Sequence, residues 1–140
     1  MPEKRTQVLF VCIENSCRSQ MAEGFARVLG ADCLAAWSAG SHPAGRIHPG
    51  AVAFMKEREI DLTAQRSKGL GELPPGVEWD FLVTMGCGDA CPHLPAKVRL
   101  EWDLPDPKGM DDDEFRGVRD RIELLVLGLV TLVRHSPRHS

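Results

Sequence analysis

Val8-Leu-Phe-Val-Cys12-Ile-Glu-Asn-Ser-Cys-Arg18-Ser19 is the stretch on which the fold turns. The apolar run Val8 to Val11 gives way after Cys12 to a polar loop, and a helical pattern begins at Arg18, so a buried strand feeds a loop that opens onto a helix. The first N–H groups of such a helix have no intrahelical partner. With the loop's own amides they can point at a tetrahedral anion, and the macrodipole adds positive potential there. Arg18 offers a planar fork for two of the anion's oxygens, and the same field favours the thiolate of Cys12. A thiolate in an oxyanion cradle is a nucleophile. Ser19 is placed to hydrogen-bond its sulfur. A cysteine at a strand end is also an ordinary small core residue; the strand, loop and helix around it favour the nucleophile.

Working outward, Gln7 to Val11 is predicted as the first strand. Arg18 to Leu29 follows as an amphipathic helix burying Met21, Phe25, Val28 and Leu29, and Gly30 stops it. Leu34 to Ser38 reads as a second strand running into the Gly- and Pro-containing loop Ala39 to Gly45. A second helix, about His48 to Arg58, has Pro49 near its first turn and Ala51, Phe54 and Met55 for burial. Trp79 to Thr84 and Lys97 to Trp102 are the third and fourth strands. Asp111 to Glu114 is a favourable acidic start for a last helix, Phe115 to Arg134, which ends in cations as its dipole prefers. Strands alternating with helices imply an α/β fold of three layers, a four-stranded parallel twisted sheet with helices on both faces. Ligands bind such sheets at the carboxyl ends of the strands. The loops that follow Cys12, Ser38, Thr84 and Trp102 should therefore share one rim.

The 140 residues fit a single domain spanning 1–140. A net charge of −3, with no basic stripe, argues against nucleic-acid binding. The apolar stretch Leu124 to Val133 is too short to span a bilayer, and the N-terminal apolar run is too short for a signal-peptide core, so no membrane association and a soluble, cytoplasmic protein are expected. The five cysteines, Cys12, Cys17, Cys33, Cys87 and Cys91, then read as catalytic, redox or metal-binding residues in preference to a disulfide framework. Cys87, Cys91 and His93 supply only three zinc ligands and need a fourth, so no metal site is assigned.

Beyond the cradle, Ser38-Ala-Gly-Ser-His-Pro43, His48-Pro49, Glu59-Ile-Asp-Leu-Thr63, Ser67-Lys68, Val83-Thr-Met-Gly-Cys-Gly-Asp-Ala-Cys-Pro92 and Trp102-Asp-Leu-Pro-Asp-Pro107 carry a resemblance over nearly the whole chain. It is to the low-molecular-weight tyrosine phosphatases and the arsenate reductases that share their fold. The resemblance implies an oxyanion loop of Glu14, Asn15, Ser16, Cys17, Arg18 and Ser19 around the nucleophile Cys12. Asn15 would support that loop with Ser38 as partner. Asp106, before Pro107, would be the general acid, with Asp103 as fallback.

Two chemistries of this superfamily compete. A phosphatase hydrolyses its cysteinyl-phosphate with water, whereas a reductase resolves a Cys12–arsenic adduct with further thiols. Cys87 and Cys91 resemble the reductases' redox loop, although only three residues separate them; Cys17 is an alternative resolving thiol. The chain contains no tyrosine and has Lys108-Gly109-Met110 after the Asp-Pro, where the phosphatases usually carry aromatic side chains that grip a phenyl ring. The resemblance therefore implies arsenate as substrate, phosphate as competing oxyanion and thioredoxin as reductant, with phosphomonoester hydrolysis as the alternative. A non-catalytic anion sensor or a zinc-binding module is a third possibility. Some reductases of the group bind potassium near the positions of Asn15, Glu23 and Ser38. Lys68 follows Ser67 where a further carboxylate would be sought, so potassium is left open and no cofactor is assigned.

Overall fold

The computed structural model describes residues 5–86 and 94–135. Strands β1 (Thr6–Cys12), β2 (Leu34–Gly40), β3 (Trp79–Thr84) and β4 (Ala96–Glu101) and helices α1 (Arg18–Leu29), α2 (Pro49–Lys56) and α3 (Asp112–His135) follow the expected alternation. The strands form one parallel sheet in the order β2-β1-β3-β4. Chain order reverses on either side of β1, so the loop leaving β1 emerges at the crevice where such sheets bind ligands.

The two faces of β1 are covered differently. Val8 and Phe10 join a core with Met21, Ala22, Phe25 and Ala26 of α1, Ala51 and Met55 of α2, and Phe115, Ile122 and Val126 of α3. On the opposite face Leu9 and Val11 pack with Ala39, Trp79 and Leu82 under Trp37, Leu70, Leu73 and Val77. Helices on both faces were expected. Among the described residues the second face carries a single 3-10 turn, Leu70–Glu72, and extended chain. Proline and glycine between residues 69 and 76 leave no room for a longer helix.

Local chemistry sets the helix ends. His48 caps α2 by accepting the Gly50 N–H at 3.0 Å, with Pro49 in the first turn. Asp111 accepts the Glu114 N–H at 2.8 Å while Glu114 accepts the Asp111 N–H at 3.3 Å. This reciprocal cap starts α3 three residues before the expected Phe115. One expected core residue is misplaced: Val28 is 57% exposed, and Ala22 and Ala26 fill the face it was assigned to.

Arg119, 5% exposed, ties α3 to α2 by donating to the Phe54 carbonyl at 2.9 Å and to Glu57 at 2.6 Å. Arg116 holds the other oxygen of the same carboxylate at 2.9 Å. Hydrogen bonds from Arg116, then Arg119, pull the Glu57 carboxyl from its ordinary 4.5 down to about 2. A depressed carboxyl stabilises the fold above its unfolded value, and that contribution is lost as pH falls from 4.5 through about 2. Thermal midpoints measured across that window should fall more steeply for the wild type than for Glu57→Gln; parallel curves would show that the clamp contributes nothing to acid stability.

Candidate active site

Between β1 and α1 the chain turns around an anion-sized hollow, and its carbonyls are all turned outward. Ile13 accepts from the His42 N–H at 2.8 Å, Glu14 from the Ala44 N–H at 2.9 Å and the Ser67 hydroxyl at 3.0 Å, and Ser16 from the His48 N–H at 3.0 Å. The Asn15 carbonyl accepts from the Gln20 amide at 3.1 Å. A trans peptide points its N–H opposite to its C=O. The amides of Glu14, Ser16 and Cys17 are therefore left on the side of the cavity these residues line, forming a concave nest for an anion. Asn15 makes the reversal, with φ of 49°, in the left-handed region that asparagine tolerates better than most residues.

Asn15 is fully buried and pins this shape. Its Nδ2 donates to the Ser19 hydroxyl at 2.8 Å, and its Oδ1 accepts from the Gln20 Nε2 and the Lys68 backbone N–H, both at 2.9 Å. The loop also lies directly on the end of β2. A Cβ on Gly40 would come within 2.5 Å of the Ile13 carbonyl and 2.8 Å of the Asn15 nitrogen, which only glycine avoids.

At the floor of the cavity the Cys12 sulfur is 2.8 Å from the Ser19 hydroxyl. That oxygen already accepts from Asn15, so its own hydrogen is free for the sulfur, and a thiolate can only accept. The Arg18 side chain is 8% exposed. Its Nη1 donates to the Leu104 carbonyl at 2.9 Å, and its Nη2 lies 3.9 Å from Asp106 Oδ2. The end of β3 leaves room for the guanidinium at Gly86, where φ is +74° and a Cβ would fall 2.4 Å from Nη1. The loop carrying Asp106 is anchored by buried Leu104 and Pro107 and by Trp102 against Phe10, ring centroids 5.7 Å apart. Asp106 Oδ1 accepts the Lys108 N–H at 3.1 Å, leaving Oδ2 to face Arg18 and the cavity. The cavity has a volume of about 70 Å³ and is lined by Cys12, Glu14, Ser16, Cys17, Arg18, Asp106 and Lys108, with Ile13 at its side.

Of the residues expected at the site, Cys12, Glu14, Ser16, Cys17, Arg18 and Asp106 are brought together, whereas Asn15 and Ser19 lie behind the loop as its supports. The expected pairing of Asn15 with Ser38 is corrected: Ser38 donates to Glu23 instead. Gln20, Ser67, Lys68 and Lys108 have roles here that the sequence alone did not indicate. The buried polar positions of α1 were the available signal for Gln20, which is 0% exposed; the others depend on contacts between distant segments. Burial, then the charges of Asp106 and Cys12, push the Cys17 thiol from 9.0 up to about 12. Cys87, Cys91 and His93 lie outside the described residues.

Asn15, Glu23 and Ser38 do not fit a potassium ion. The Lys68 ammonium stands 3.5 Å from Glu23 Oε1 and 3.4 Å from the Ser38 hydroxyl, so a positive charge of the protein's own is already among these oxygens.

Comparison with known proteins adds to this geometry. Residues 7–138 match the family described as low molecular weight phosphotyrosine protein phosphatase. The chain is 38% identical over 130 residues to a glutaredoxin arsenate reductase of Synechocystis, covering 91% of this chain and 98% of that protein. Among solved structures it is similar to an arsenate reductase in the phosphate binding state, with TM-score 0.82, 37% identity and coverage of 91% of this chain and 98% of that one. It is also similar to a thioredoxin-dependent arsenate reductase of Corynebacterium glutamicum, with TM-score 0.78, 29% identity and coverage of 98% and 66%.

Truncating Asn15 would leave the part-buried Lys68 N–H without its acceptor and the Ser19 hydroxyl without its donor, while Gln20 Nε2 keeps the Asn15 and Arg66 carbonyls for its two hydrogens. Asn15→Ala should cost roughly 1–3 kcal/mol in denaturant unfolding and weaken calorimetric binding of inorganic phosphate about tenfold or more. Undiminished phosphate affinity would show that the nest holds its shape without this amide.

Proposed function

This chain belongs to the low molecular weight phosphotyrosine protein phosphatase family, and within that family we propose that it is an arsenate reductase. The observation that carries the reading is the arrangement of Cys12, Arg18 and Asp106 around one small cavity, in a chain similar to proteins described as arsenate reductases. Arsenate enters the nest with two oxygens on the Arg18 fork. The Cys12 thiolate attacks arsenic while Asp106 Oδ2 gives its proton to the departing oxygen, which leaves as water, and a sulfur–arsenic bond is made.

A second thiolate then attacks the Cys12 sulfur. A disulfide forms, and the electron pair of the sulfur–arsenic bond stays on arsenic, which leaves as arsenite, reduced by two electrons. We assign the resolving thiols to Cys87 and Cys91. Cys87 follows Gly86 in the chain, and Gly86 lies against Arg18. Cys87 attacks Cys12, and Cys91 then attacks Cys87 to free Cys12 and leave a Cys87–Cys91 disulfide. Cys17 is a poor candidate for this step, because a thiol raised to about 12 holds almost no thiolate near neutral pH. A dithiol protein of the cytoplasm returns two electrons to the disulfide. We assign thioredoxin, as in the Corynebacterium glutamicum relative's description, with glutaredoxin as the competing donor. No described helix is long and apolar enough to cross a membrane. Slow hydrolysis of small aryl phosphates is expected from the same nucleophile and cradle when water takes the place of the resolving thiol.

NADPH oxidation coupled through thioredoxin or glutaredoxin with their reductases, run beside aryl phosphate hydrolysis, tests the reading. Arsenate-dependent NADPH oxidation should be abolished in Cys12→Ser, Cys87→Ser and Cys91→Ser and largely retained in Cys17→Ser. Rapid phosphate release without NADPH consumption would make the chain a phosphatase, and loss of turnover in Cys17→Ser alone would move the relay to that thiol.

A further inference from the structure

Two residues that line the cavity form an ion pair that the reduction chemistry does not use. The Lys108 ammonium bonds the Glu14 carboxylate, joining the nucleophile loop to the Asp106 loop across 94 residues of sequence. Both side chains line the cavity, and both are only partly exposed, at 41% and 39%. The Glu14 backbone is fixed, since its carbonyl is held by the Ala44 N–H and the Ser67 hydroxyl. The Lys108 backbone is fixed too, through its N–H on Asp106. The two charges therefore meet from anchored stems.

Size makes this pair consequential. The cavity is small, about 70 Å³, and its exposed lining side chains, Glu14, Lys108 and Asp106, stand at its mouth, while Cys12, Cys17 and Arg18 are buried at its base. An ester's organic arm has to leave the cavity through its mouth, beside Asp106, where the leaving oxygen must also sit. We propose that Lys108, through its ion pair with Glu14, is a specificity-determining residue that biases the site toward inorganic oxyanions by obstructing the exit a phosphate monoester's organic group requires. The inference rests on the arsenate reductase reading of the site.

The pair adds no net charge at the mouth. Glu14 alone would repel an entering anion, and Lys108 neutralises it while leaving the Arg18 fork as the anion's attraction. A monoester has to break the pair and displace two side chains, and it finds no aromatic wall at residues 108–110 to compensate. The effect is modest, as the strength of a partly exposed ion pair dictates.

The test compares two substrates in one active site. Values of kcat/KM for p-nitrophenyl phosphate and for arsenate are measured for the wild type, for the charge-neutral double substitution Glu14→Ala with Lys108→Ala, and for Lys108→Met, which keeps the stem and loses the ion pair. Because the readout is the ratio of the two values, a general loss of activity cancels. The ratio of ester to arsenate should rise about two- to fivefold in the double variant and by a smaller factor in Lys108→Met. A ratio within about twofold of wild type in both variants, with arsenate reduction still measurable, overturns the gate and leaves the reductase reading standing. A wild type that hydrolyses the ester readily and does not reduce arsenate overturns the reading beneath it.

Discussion

The site depends on the outward bonding of four consecutive carbonyls. Ile13, Glu14, Asn15 and Ser16 each hand their C=O to a partner outside the turn, and only because they do so can amides of the same peptides converge on an anion. The partners come from the 41–48 segment, from Ser67 and from Gln20 of α1. The cradle is thus not a property of its own short sequence. A loop with the same residues and no such partners would turn some carbonyls inward, and an oxyanion would meet negative dipoles where it now meets positive ones. The buried side chain of Asn15 completes the arrangement from below, linking the turn to the helix after it and to the backbone of Lys68.

The dependence on outside partners explains what the sequence revealed and what it concealed. Strand β3 and helix α1 run over the residues expected of them, because a short apolar run and a glycine-terminated amphipathic pattern are local signals. The contact of Cys12 with Ser19, and the place of Arg18 at the same cavity, were legible for the same reason, the three lying within eight residues of one another. Pairings set by the packing of distant segments were not. Ser38 was expected to hold Asn15, yet the end of β2 turns its hydroxyl to Glu23, and the segment carrying Lys68 takes the asparagine instead. Val28 was lost to periodicity of the wrong phase: it is 57% exposed, while Ala22 and Ala26 are fully buried.

Charge placement around the nest obeys a consistent logic. Behind it, the Lys68 ammonium meets Glu23 with both side chains nearly out of water, at 13% and 10% exposure, so a buried carboxylate is compensated close to the anion site. In front of it, Lys108 compensates Glu14 in the same way at the surface. Glu23 and Glu14 are thus each matched by a lysine. Arg18 is oriented by a neutral carbonyl, that of Leu104, and keeps part of its fork for an incoming ligand. Asp106 at 3.9 Å is too distant to occupy that fork with a direct hydrogen bond.

This division bears on how one scaffold serves two chemistries. Attack by a thiolate on a tetrahedral centre, and protonation of the oxygen that leaves, would need only the nest, Cys12, Arg18 and an acid; the first three are set by the buried frame, whereas the Asp106 side chain is 48% exposed. The fate of the covalent adduct is decided at the rim, by whichever group can next reach the sulfur or the bound centre: water for hydrolysis, a thiol for reduction. The frame is constrained by close approaches such as Gly40 against the Ile13 carbonyl. The Lys108–Glu14 pair at the rim is partly exposed, at 41% and 39%, and costs little to change. Selection for a different outcome can therefore act on a few rim residues, Lys108 among them, without disturbing the cradle that makes either outcome possible.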